Sequence, residues 1–245
     1  PDRVAVLSEN EVKIQGEAEP WPAKAIVAAA LPADIVHVRF LILPVTRKKE
    51  LEELLPFQAE PLFPYPQEGG VLTYQILEKR DNETELVLFG AHVDPIAAFL
   101  QKHPSLDHLF APQIALTAFG AKYVHTERPY LLFHLQGSIL TALLLHKKRL
   151  KGAFTEQIQE KNPERLEVAL HKMGLALART TPLKELEGSV LTGDLADLTL
   201  QIPVEELPIE KAEWKRAALA MGLAELANHF LPGLDFLQKQ FAPPR

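Results

Sequence analysis

Residues 130–154 hold three apolar runs in close succession, and they constrain the fold more than any other stretch of this chain. Tyr130–His134, Ser138–Leu145 and Arg149–Phe154 each read as a β-strand. The turns between them, Gln136-Gly137 and His146–Lys148, are short, so the strands must lie antiparallel to one another. Ser138–Leu145 is apolar enough to be buried on both faces.

The flanking pattern alternates strands with helices. Arg3–Leu7 and Glu11–Gln15 read as two short strands joined by the turn Ser8-Glu9-Asn10, and Glu19-Pro20-Trp21-Pro22 breaks the chain. Lys24–Leu31 is alanine-rich and predicts a helix ended by Pro32. Ile35–Leu43 predicts a strand: Val36, Val38, Phe40 and Ile42 point one way, His37, Arg39, Leu41 and Leu43 the other. Apolar residues on both faces place it inside a sheet. Thr46 then reads as the cap of a helix with an apolar stripe at Leu51, Leu54 and Leu55, which Pro56 and Pro61 interrupt or kink. Val71–Glu78 and Thr84–Phe89 read as a hairpin about the turn Lys79–Asn82. Asp94-Pro95 reads as cap and first residue of a helix, and a second helix follows from Pro112 to about Ala121. Asn162-Pro163 repeats the cap-and-proline signal ahead of Leu166, Ala169, Leu170, Met173 and Leu177 at helical spacing. Gly188–Leu191 is a short strand leading into Thr192-Gly193-Asp194, and a last helix is expected from Lys211 to Asn228. This order predicts an α/β or α+β chain with two lobes, divided between Ala91 and Tyr130.

Composition narrows the function. At 245 residues, 47% hydrophobic and 24% charged, the chain is not disordered along its whole length. Cysteine is absent, which excludes disulfides, thiolate catalysis and cysteine zinc sites. A formal charge of −6 argues against nucleic acid as a partner. No apolar stretch is long enough to span a membrane. The chain starts at Pro1 rather than Met, so it reads as an excised piece, and segments beyond either end could include a membrane anchor. Phe236 and Phe241 in the tail are expected to pack on the body.

Positive signs of chemistry are few. There is no Walker-type phosphate loop, dinucleotide fingerprint, zinc-protease helix or nucleophile elbow. Ser138 follows a glycine at a strand turn and reads as a turn serine. Nine histidines invite a metal, yet none form an i, i+4 pair, and His103 and His108 are merely five apart. Glu50, Glu52 and Glu53 share their helix with lysines and read as a solvated face laced with ion pairs.

Several stretches in order resemble one known family. A strand carrying Arg39 leads to Leu43-Pro44, and the following helix leads to Phe57, Glu60 and Pro64. This arrangement is similar to pilus assembly protein M and the cytoplasmic domain of general secretion pathway protein L. Tyr130–Phe154 resembles the family's strand–turn–strand across the second phosphate loop. Val190–Leu198 (VLTGDLADL) resembles its adenosine-side loop, and Ala217–Leu226 (AALAMGLAEL) its late helix. Gly233–Arg245 resembles the segment that precedes the secretion protein's transmembrane helix. The resemblance implies the α/β actin-like ATPase fold, related to the cell-division protein FtsA: two ribonuclease H-like lobes with a small inserted subdomain. It implies a first lobe over 1–110, with the insertion at about 46–90, and a second lobe over 111–245.

The departures bear on activity. The N-terminal strand offers VAVLSENEVKI with no Asp-x-Gly, and the second phosphate loop is Leu135-Gln136-Gly137-Ser138, without the metal-directing aspartate. The third loop reads Gly193-Asp194 where the family has two glycines, adding charge and bulk where backbone should approach phosphate. The nucleotide loops at Gln136, Gly137, Ser138, Thr192, Gly193 and Asp194 are therefore expected to be degenerate, with no catalytic residue, metal or cofactor. The resemblance then implies a non-catalytic scaffold at the cytoplasmic face of the bacterial inner membrane. It would dock the secretion or pilus ATPase to inner-membrane platform proteins, and a homodimer is compatible with it. The alternatives are a nucleotide-dependent actin-like switch or filament-forming ATPase, which rests on Gly137 and Gly193, and an unrelated α/β domain.

Overall fold

The computed structural model describes residues 4–8, 11–15, 26–65, 69–159, 162–179, 181–198, 200, 204–229 and 234–237. Along the chain run β1 (Val4–Ser8), β2 (Glu11–Gln15), β3 (Ala28–Ala30), β4 (His37–Leu43), α1 (Lys48–Ala59), β5 (Gly70–Lys79) and β6 (Thr84–His92). Then follow α2 (Val93–Lys102), β7 (His108–Phe110), α3 (Pro112–Tyr123), β8 (Tyr130–Gln136), β9 (Ile139–His146), β10 (Arg149–Gln157), α4 (Pro163–Leu177), β11 (Ser189–Gly193), α5 (Ala212–Arg216) and α6 (Ala218–Asn228). The predicted breaker Glu19–Pro22, and Phe241, lie outside the described residues.

The chain forms two compact units that meet in sequence between Ala111 and Pro112. The first takes Ile26–Ala111 and the C-terminal segment from Leu231; the second takes Pro112–Phe230 and the N-terminal segment to Ala25. The lobes expected from sequence, 1–110 and 111–245, assigned each terminal segment to the other unit. Their membership is set by long-range contacts that no local pattern reports.

In the first unit β4, β6 and β5 form an antiparallel sheet in that order. Its centre is β6, whose residues Leu86–Phe89 are fully buried. Leu51 and Leu55 of α1 pack on one face with Leu43, Leu86 and Leu88, while Leu54 is exposed. The strand expected inside the sheet, β4, is an edge strand, and its apolar residues Phe40 and Ile42 are open to solvent. Apolar residues on both faces signalled burial that only half of this strand has. Pro56 does not break α1: the Glu60 N–H closes on the Pro56 carbonyl, and the helix runs past the ring. Thr46 does not cap it, since the N-cap position falls on Arg47. Nor does Asp94 cap α2. β6 runs straight into that helix, and the His92 ring accepts the Asp94 N–H.

The alanine-rich segment expected as a helix instead pairs Ala28–Ala30 in parallel with β7. Ala29 is buried, and pairing outweighs alanine's helix propensity. On β7 the carboxylate of Asp235 accepts the Leu109 N–H (2.9 Å) and meets His108 Nδ1 (2.9 Å). The Phe236 N–H donates to the Leu109 carbonyl (2.7 Å), and its ring is fully buried, as expected.

In the second unit the sheet order is β10-β9-β8-β11, with β11 parallel to β8 and the rest antiparallel. α4 covers one face. Its cap is the Asn162 side chain, which accepts the Arg165 N–H (2.8 Å), and its buried residues are those expected together with Gly174. The last helix is divided at Ala217 into α5 and α6. The two pieces have separate anchors on α3: the Trp214 ring lies 5.0 Å from Tyr123, and Gly222 sits directly against the Ala115 backbone. A Cβ on Gly222 would overlap the Ala115 carbonyl. Gly222→Ala should therefore cost about 3 kcal/mol, the upper part of the overpacking range. That lowers the melting temperature by roughly 6–12 °C in a chain of this size. An unchanged melting curve would show that α6 can retreat.

Candidate functional site

Parallel pairing of β8 with β11 brings the two predicted loops together. The register runs from Ser189 opposite Leu131 to Gly193 opposite Leu135, so both strands end at one level. Gln136, Gly137 and Ser138 turn into β9; Thr192, Gly193 and Asp194 end β11. All six predicted residues thus lie at one end of one sheet. Gly137 and Gly193 have φ of 58° and 65°, the left-handed region that favours glycine.

Two hydrogen bonds tie the loops. The Asp194 N–H donates to the Leu135 carbonyl (2.8 Å), and the Gly137 N–H donates to Asp194 Oδ2 (3.1 Å). A loop amide of this kind is what phosphate-binding loops aim at an anion. Here the chain's own carboxylate takes it. Ser138 has a structural part, since its carbonyl accepts the Ile158 N–H (2.7 Å).

Behind the loops lies a polar row that the sequence did not reveal. Thr155, Thr141, His134 and Thr192 stand opposite one another across β10, β9, β8 and β11. The Thr192 hydroxyl donates to the Phe133 carbonyl (2.9 Å), which uses its one hydrogen. His134 Nδ1, 3.0 Å from that hydroxyl oxygen, must therefore be the donor there. Its Nε2 is buried without a partner. The only signal in the sequence was a lone histidine in an otherwise apolar strand.

The first unit carries a groove of about 330 Å³ between α1 and the edge strand β5. Leu55, Pro56, Ala59, Phe63 and Tyr74 line it, with Glu52 and Glu60. The Tyr74 hydroxyl donates to Glu52 (3.4 Å), and burial first, then that carboxylate, raises its phenol above the usual range. Arg39, singled out by the resemblance, clasps the segment beyond α1: its Nε donates to the Leu62 carbonyl (3.0 Å). Phe57 of α1 is 71% exposed. The carboxylates of α1 pair as expected, Lys48 with Glu52 (3.6 Å) and Lys49 with Glu53 (4.0 Å). His108 is engaged by Asp235, and His103 lies against Phe99. Among the described residues no three histidine or carboxylate side chains are grouped to hold a metal ion. No helix among them is long and apolar enough to cross a membrane.

Burial pushes the His134 imidazole down to about 4, against about 6.5 in the unfolded chain. Between those values the unfolded state binds the extra proton, so stability rises with pH from about 4 to 6.5 and is complete above. Moving from pH 7 to pH 5 should cost the native chain about 2 kcal/mol more than a His134→Leu variant. Urea midpoints at the two pH values measure this; parallel losses would mean that His134 is protonated without penalty.

No protein-family model matches the chain, and no curated protein sequence does. Solved structures do. The type IV pilus biogenesis complex PilM–PilN matches with a TM-score of 0.61 at 17% identity, over 91% of this chain and 94% of that one. The cytoplasmic domain of EpsL, an inner-membrane component of the Vibrio cholerae type II secretion system, matches with a TM-score of 0.57 at 13% identity, over 98% and 93%. The chain has the actin-like ATPase fold that the resemblance implied.

Proposed function

We propose that this chain is a non-catalytic cytoplasmic scaffold of a type II secretion or type IV pilus platform, docking the secretion ATPase to inner-membrane components. Support comes first from shape: the matches to a type IV pilus biogenesis complex and to the cytoplasmic domain of a type II secretion component span over nine-tenths of both chains in each case. The observation that carries the non-catalytic part is the hydrogen bond from the Gly137 amide to Asp194. A phosphate would have to displace a carboxylate that is covalently part of the loop, and Leu135 stands where the resembled loop has its metal-directing aspartate.

Thermal melts with and without millimolar Mg-ATP test this. A ligand at about 100 times its dissociation constant stabilises by about 2.7 kcal/mol, roughly 5–10 °C here. No shift is expected; a clear one would put the nucleotide-dependent switch first. Copurification tests the scaffold. The exposed Phe57 of α1 and Glu60 just past its end border the groove, so Phe57→Ser with Glu60→Arg should leave the melting curve unchanged and reduce recovery of platform proteins. A chain that recovers neither the ATPase nor any platform protein would overturn the reading.

A further inference from the structure

The second unit has an open edge that none of the loops above uses. β10 ends the sheet, and among the described residues no strand pairs on its outer side. Gly152, Phe154 and Glu156 stand opposite Leu144, Ala142 and Leu140, so they share the face that α4 covers. Lys172 of α4 reaches across to Glu156, with Nζ 3.0 Å from both carboxylate oxygens. Val168, Lys172 and Leu175 are spaced four and three residues apart, which puts them on one helix stripe. The reach of Lys172 turns that stripe toward the open edge. Three apolar side chains are consequently exposed around one ion pair: Phe154 at 40%, Val168 at 66% and Leu175 at 55%.

The start of the same strand is basic. Lys147, Lys148, Arg149 and Lys151 put four cations in five residues, with no acid from Leu143 to Thr155, in a chain of net charge −6. Lys147 and Lys148 form the hairpin turn with φ of 48° and 62°. Asn-Gly would take that backbone without strain, whereas lysine does not. Edge lysines and the bulge between Leu150 and Gly152 are ordinary protection for an edge strand. That explanation covers neither strained lysines in the turn nor three exposed apolar side chains beside it.

We propose that the β10 edge and the α4 stripe form a docking site for an extended acidic and apolar segment of a protein partner. The segment adds a strand to β10, with carboxylates toward the basic turn and an apolar side chain against Phe154 and Leu175. A lipid surface does not fit, because hydrocarbon offers nothing to the backbone groups of an open edge. A second copy fits poorly as well. Glu156, the acid its β10 would bring, is already neutralised by Lys172.

The site is independent of the platform reading, and its test needs no platform protein. The whole isotope-labelled chain is titrated with a nine-residue peptide alternating glutamate and valine, and with the lysine–valine counterpart, by amide NMR. Shifts should be confined to residues 147–157 and 168–175 and be at least ten-fold weaker with the lysine peptide. Phe154→Ser with Leu175→Ser should abolish them while the rest of the amide spectrum stays that of the folded chain, since both side chains are partly exposed. Lys147→Asn with Lys148→Gly should raise the melting temperature by relaxing the turn, yet weaken the peptide several-fold, as added salt should. Absence of shifts at 152–157, or equal binding of the lysine peptide, would overturn the proposal. So would the same shifts on concentrating the chain alone, which would make the occupant a second copy. Their appearance with phosphatidylglycerol vesicles in place of peptide would point to a membrane and overturn it too.

Discussion

The parallel ladder between β8 and β11 is the contact on which the second unit depends. Parallel neighbours cannot be joined by a tight turn, so the chain must leave β8, travel and return. It does so through β9, β10 and α4, and that excursion builds the rest of the sheet and lays its main helix over it. The same pairing levels the ends of β8 and β11, which sets the Gly137 amide within reach of Asp194. There the chain's own carboxylate takes the loop amide, and the two loops satisfy each other.

How much of this was legible depended on whether the deciding contact was local. Helix α4 was read residue for residue because its cap, its proline and its apolar stripe all lie within one short window. The hairpins were read for the same reason. β4 was misplaced because apolar side chains on two faces report what the strand could bury, not which neighbours arrive to cover it. The Ala28–Ala30 strand was missed because its partner is β7, far along the chain. The two loops at 136–138 and 192–194 were singled out from sequence, but their meeting was not, since it follows from the parallel register. The polar row through His134 is likewise assembled from four strands, each contributing one residue with no local signature.

Among the described residues the sheets of both units keep open edges, and they treat them differently. β4 offers Phe40 and Ile42 with Arg39 clasped back onto Leu62. β10 is guarded at its start by cations and a bulge, then becomes apolar. β5 borders a groove with carboxylates on its lining. Edges of this kind invite association unless something governs it, and charge is the means visible here.

The exchange of terminal segments between units has a consequence for how the chain is made. The first unit contains a fully buried phenylalanine, Phe236, and a carboxylate, Asp235, that satisfies a backbone amide of β7. Both belong to a stretch that is made after the whole of residues 112–230. Synthesis proceeds from the N-terminus, and most two-unit chains can complete one unit before the next emerges. Here the first unit waits with an open seam until all of residues 112–230 have been made, while the β1–β2 hairpin waits from the outset for residues beyond Pro112. Neither half can mature alone, so the two units are obliged to finish folding together.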